Sequence, residues 1–189
     1  KNGLLSPCIH EFQIFGPFLD AKAPASPPAA APKYAWRETA GALALVNHDR
    51  VVWQWNHGKE SAKPYFHPVA LADGMVLTAP SPADHPWHRA FWFSWKMIDG
   101  VNYWEEDPAT GKAQGQTELR SMKAAPGADG SARLECVLGY HPPGVADVLT
   151  ESRRIDISAP DGQGAYRFEW KSDFTAGPKE VLLQGGTAG

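Results

Sequence analysis

Cysteine, excess charge and long apolar runs are all scarce in this 189-residue chain, and each scarcity closes off a class of protein. The 2 cysteines, Cys8 and Cys136, lie far apart and match neither a metal-ligand nor a redox spacing. That leaves one disulfide or two buried free thiols. No run approaches the ~20 apolar residues of a membrane-spanning helix. A net charge of -3 and a pI near 6.2, with the basic residues scattered, give no electrostatic case for binding nucleic acid or an anionic membrane. There is no glycine-rich phosphate loop, no nucleophile elbow and no Cys/His pair of known spacing, which argues against nucleotide chemistry. Helical periodicity and internal repeats are lacking too.

What the chain does have is 17 prolines, 18 glycines and an 11% aromatic content within a 43% hydrophobic composition. Such a sequence makes short strands and turns around a real core. Residues 1–20 have mixed character. An apolar patch from Ile14 to Leu19, followed by Ala21-Lys22-Ala23, has the outline of a signal-peptide cleavage region. His10, Glu11 and Asp20 interrupt it, and the reading goes against a retained leader. Residues 21–33 form a Pro/Ala tract that buries too little apolar surface to fold alone, so 1–33 reads as an N-terminal segment and linker.

From Tyr34 the pattern is β. Ala42–Val46 and Val51–Asn56 form a hairpin across Asn47-His48-Asp49-Arg50, with Trp53 and Trp55 on one face. Tyr65–Leu71 carries two prolines and belongs at a sheet edge. Met75–Thr78 reads as a short strand. Phe91–Ile98 reads as the most apolar strand, buried on both faces, and pairs with Val101–Trp104 across an Asp99-Gly100 turn. Gln114–Lys123, Ala132–Tyr140, Val148–Ile157 and Ala165–Phe174 follow as antiparallel strands, the third alternating as a half-exposed sheet would. A last strand, Val181–Leu183, has no evident partner, so the domain over 34–189 is expected to lack a C-terminal part. Strand after strand without a helix means an antiparallel β-sandwich.

The chemistry concentrates in Asp84-His85-Pro86-Trp87-His88-Arg89, a polar loop that feeds an aromatic run. His85 and His88 at i, i+3 in a proline-stiffened loop can converge. Three readings stay open for them: acid–base catalysis or binding, a shared metal ion completed by Asp84 or a glutamate, and plain loop packing against Trp87 and Trp92. Arg89 either orients a ligand or forms a salt bridge to Asp84 or Glu105. His67, between Phe66 and Pro68, either reaches the same pocket or is an ordinary satisfied histidine. Trp87, Trp92 and Trp104 offer ring faces of the kind sugars pack on, although most of the tryptophans should be core. Glu105-Glu106-Asp107 reads as a solvated acidic run, and His48, His57 and His141 receive no role.

Lys63-Pro64-Tyr65-Phe66-His67-Pro68, the DHPWHR loop and Val101-Asn102-Tyr103-Trp104 together resemble a bacterial family of unknown function labelled "methane oxygenase PmoA". The resemblance covers about residues 40–189. It implies a galactose-mutarotase-like β-supersandwich, a place in sugar catabolism and frequent export, so a periplasmic or secreted location with the cytoplasm as the alternative. The label itself does not suit a soluble β pattern. Ala90 stands where the family has glycine, and the family carries a further His/Pro/Asn segment that this chain lacks. The expectation is a protein acting on a small carbohydrate, needing no cofactor unless His85 and His88 hold a metal. Its chemistry is that of an isomerase, lyase or hydrolase; the alternative is a non-catalytic carbohydrate-binding module. The expected catalytic residues are His85 and His88, as acid and base, and Arg89, which orients the substrate; His67, Asp84, Trp87, Trp92 and Trp104 are expected to surround the ligand.

Overall fold

A computed structural model describes residues 33–58 and 63–184, together with the backbone of 12–14. Among these the fold is all-β, an antiparallel sandwich. Strands β1 (Phe12–Ile14), β8 (Gln116–Pro126), β9 (Ala132–His141), β10 (Leu149–Ile157) and β11 (Tyr166–Ala176) form one sheet in the order β1-β11-β10-β9-β8. Strands β2 (Tyr34–Thr39), β3 (Ala42–Asn47), β4 (Arg50–Asn56) and β5 (Tyr65–Val69) form a second, in sequence order. A small ribbon joins β6 (Met97–Ile98), β7 (Val101–Asn102) and β12 (Leu183–Gln184).

The alternation seen in the sequence explains why the two large sheets face each other. Leu43, Leu45, Trp53, Trp55 and Phe66 point inward from one, and Leu134, Leu138, Ile155, Phe168 and Trp170 from the other. Phe66 meets Phe168 at 4.8 Å between ring centroids, and Trp53 meets Phe168 at 6.5 Å, both edge to face. Burying each such side chain contributes about 1.5–3 kcal/mol. The Tyr166 hydroxyl donates across the interface to the Ala70 carbonyl at 2.8 Å, tying the sheets together beyond β5.

Inward positions of β10 also carry charge. Arg153 was expected on a half-exposed strand but is 2% exposed, beside Glu151 at 0%. Arg153 Nε donates to Glu151 Oε1 at 2.6 Å and its Nη2 to Oε2 at 2.9 Å. The hydroxyls of Tyr140 and Ser172 add donors to the same carboxylate, each at 2.5 Å. Trp170 covers the guanidinium at 4.7 Å. A lone ion inside a sheet would be prohibitive; a carboxylate fed by three side chains is not.

The structure departs from the sequence reading in one region. Residues 91–96 are not a strand, because only Phe91 pairs, its backbone exchanging hydrogen bonds with Phe66 at 2.8 and 3.2 Å. The run is apolar because it covers the core rather than because it joins a sheet. Phe91 packs on Phe168 and Trp170, and Phe93 and Trp95 pack on Phe174, closing the sandwich along β5. Met75–Thr78 is likewise no strand; Val76 alone bridges to Ala70, and Met75 is 59% exposed. The Asp99-Gly100 turn is present, with φ of 51° and 75°, a two-residue turn suited to the twist of β6 and β7. β12 has a partner, Leu183 facing Ile98. Phe12–Ile14, left unassigned in the sequence, pairs with β11. Cys136 is a free buried thiol. Cys8, the rest of the Ile14–Leu19 patch and the Pro/Ala tract up to residue 32 lie outside the described residues.

Candidate functional site

The site is a loop pinched off the edge of the β2–β5 sheet. Its base is closed where Ser81 N–H donates to the His88 carbonyl at 2.9 Å. Inside it, His85 N–H donates to the Pro82 carbonyl and His88 N–H to the His85 carbonyl, both at 3.0 Å. Two successive turns therefore carry the chain from Pro82 to His88, and i, i+3 residues of such turns emerge on the same side. That is why the His85 and His88 rings lie 5.2 Å apart.

His85 Nδ1 is 3.1 Å from Asp84 Oδ2, so a carboxylate orients that imidazole. The hydrogen bond from His85 holds the Asp84 carboxyl below its usual range. His85 leans edge-on toward Trp87 at 5.6 Å. His88 is walled by Trp104 at 5.6 Å and Trp92 at 6.3 Å, and those two indoles stack at 4.5 Å. Burial against them lowers the His88 pKa, with the His85 charge adding to the effect. Both effects favour the neutral imidazole.

Arg89 anchors the loop. Its Nη2 donates to both Glu106 oxygens, at 2.6 and 2.8 Å, and Nη1 turns back to the Pro86 carbonyl at 3.3 Å. The partner is Glu106, where the sequence pointed to Asp84 or Glu105. The acidic run is correspondingly not a solvated stretch. Glu105 takes Lys96 at 2.8 Å and the Asn102 amide, while Asn102 Oδ1 accepts from the backbone of Trp104 at 2.8 Å. Asn102 and Arg89 together fix the turn that presents Trp104. Only Asp107 of the three is exposed, capping its own turn through Ala109 and Thr110.

His67 stands apart. Its Nδ1 is 2.9 Å from Thr78 Oγ1, which also accepts the Val69 N–H at 3.1 Å, and burial lowers its pKa. Those contacts knit β5 to the segment beyond it; His67 does not join His85, His88 or Arg89. Two residues the sequence reading passed over do belong. Glu106 holds Arg89, and Lys63, 2% exposed, reaches in behind the wall: its Nζ donates to the Trp104 carbonyl at 2.9 Å and lies 4.8 Å over the Trp92 ring. A charge inside an apolar stretch, Lys63-Pro64-Tyr65-Phe66, was the signal available for it. Among the described residues no group of three or more His, Cys, Asp or Glu side chains is arranged to hold a metal ion, so His85 and His88 stand as a pair.

A family model matches residues 42–189, a span that contains every side chain of this site. The chain belongs to DUF6807, a family of unknown function. Beside the site's arginine, Ala90 adopts a φ of 65°, the left-handed region that favours glycine. No curated protein and no solved structure matches the chain.

Proposed function

We propose that this protein binds a small carbohydrate at the His85–His88 loop and acts on it by imidazole acid–base chemistry. The observation that carries the reading is two imidazoles 5.2 Å apart in one loop, one oriented by a carboxylate and the other walled by two indoles. A neutral imidazole accepts a proton from a hydroxyl or an acidified C–H, and a second one in its imidazolium form, within reach of the same small molecule, donates one and is left neutral. Isomerisation, elimination and hydrolysis all draw on that exchange. The rings of Trp87, Trp92 and Trp104 supply the apolar surface that the C–H faces of a sugar pack on. The likeness of the DHPWHR and Val101–Trp104 motifs to the PmoA-labelled, mutarotase-like proteins supports the same substrate class, and with it a periplasmic or secreted location.

One observation favours a second reading. The His85 side chain is 44% exposed and Asp84 77%, an open surface rather than an enclosed pocket, as a binding module would present. One experiment separates the two. Wild type, His85→Ala and His88→Ala are incubated with neutral and acidic sugars and followed by proton NMR. Conversion by the wild type, falling by ~10²-fold or more in each variant, supports catalysis. Binding that the variants lose, with no sugar converted, makes this a module. Sugar binding that both variants retain, or none by the wild type, sinks the site.

A further inference from the structure

Lys63 is the one charged group buried behind the site that the proposed chemistry leaves idle. It enters from the segment before β5, and among the described residues its ammonium has no carboxylate at ion-pair distance. Its partners are the Trp104 carbonyl at 2.9 Å and the face of Trp92 at 4.8 Å. Each also forms the wall behind His88: the two indoles stack at 4.5 Å, and His88 meets them at 5.6 and 6.3 Å. One ammonium thus fastens two residues distant in sequence, from the loop's aromatic run and from the 102–106 turn, into a single surface. A desolvated cation over an indole is held more strongly than an exposed one.

We propose that Lys63 is a positioning residue for this site: it locks the Trp92–Trp104 wall and places a buried positive charge behind the His88 imidazole. The inference rests on the acid–base reading for its functional meaning, although the geometry stands without it. The titratable groups facing His88 are His85 and Asp84 from its own loop and Lys63 from behind. His85 and Lys63 oppose a charge on His88 and Asp84 favours it. Removing Lys63 therefore moves His88 toward protonation both by charge and by loosening the wall. Lys63 is itself strained electrostatically. Burial brings its pKa down to about 8, against the pull of Glu106 and with the push of Arg89.

The test follows the imidazole signals of His85 and His88 by NMR through a pH titration of the full chain. Lys63→Met is expected to raise the His88 midpoint, and Lys63→Arg, which keeps the charge, to stay near wild type. In the wild type, the His88 signal should also show a second inflection near pH 8 as Lys63 loses its proton, which needs no variant to fold. A His88 midpoint unchanged in Lys63→Met, or no inflection near pH 8 in the wild type, overturns the inference. Sugar binding measured on the same samples separates the two claims. If His88 and sugar binding ignore Lys63 but His88→Ala abolishes binding, the site stands and this role falls. If His88 responds to Lys63 and no sugar binds, the role stands and the carbohydrate reading falls.

Discussion

Two of the arginine–glutamate pairs among the described residues do opposite work. Arg153–Glu151 is sealed in the core, with side chains 1% and 0% exposed, and Tyr140 and Ser172 complete the shell of the carboxylate. Arg89–Glu106 lies at the rim, 21% and 13% exposed, and pins a loop to a turn. The first ties β9, β10 and β11 together and reaches the covering run at the Phe93 carbonyl; the second pins the loop that carries His88 to the turn that carries Trp104. The same chemistry thus seals a core or braces the edge of the candidate site according to what surrounds it, and the difference makes predictions that chemical denaturation can check.

The largest effect belongs to the core pair. Arg153→Met leaves Glu151 buried without its countercharge and should cost about 3–5 kcal/mol, whereas replacing both residues by apolar side chains should recover most of that loss. At the rim, Glu106→Gln should cost about 1 kcal/mol or less, yet free Arg89 and broaden the His88 and Trp104 NMR signals. Equal costs for Arg153→Met and Glu106→Gln would erase the distinction between the two pairs.

A third measurement sharpens the comparison through pH. Folding brings Lys63 down to about 8 from its ordinary 10.5, so between those values the unfolded chain holds more protons than the folded one. The contribution of Lys63 to stability then rises with pH across that window, and Lys63→Met should remove it; Cys136, pushed by burial up to about 11 from 9, opposes it from about pH 9. Burial pushes Tyr103 up to about 12 and holds Tyr166 above the usual phenol range, so their opposing effect begins only above about pH 10. The smallest effect is local. Ala90→Gly relieves a left-handed backbone at the base of the site loop and should stabilise the protein by up to about 1 kcal/mol. A loss of stability would show that the Ala90 methyl matters more than its φ.

The comparison also shows what the sequence could reveal. Strands β8–β11 were legible because their inward and outward residues alternate over 9 to 11 positions, as a sheet with one buried face demands. Alternation cannot say that an inward position holds an arginine, so Arg153 looked like one more surface charge. Residues 91–96 misled for the converse reason. Their apolarity is that of a lid, and a short apolar run reads alike whether it pairs or merely covers. In the site, His85, His88 and Trp87 were visible from spacing because the turns that join them are local. Lys63 and Glu106 were not, because their partners, Trp104 and Arg89, lie 41 and 17 residues away and no local pattern connects them.

The central claim is that the chemistry of this protein lies on the His85–His88 loop and not on the outer face of the β8–β11 sheet, where Lys123, Arg154 and Lys171 line a groove of about 410 Å³. Mapping sugar-induced NMR shifts on the folded chain tests it most directly. Perturbations confined to His85, His88, Trp87, Trp92 and Trp104 are the predicted result. Perturbations centred on Lys123, Arg154 and Lys171, with the two imidazoles unmoved, would contradict it.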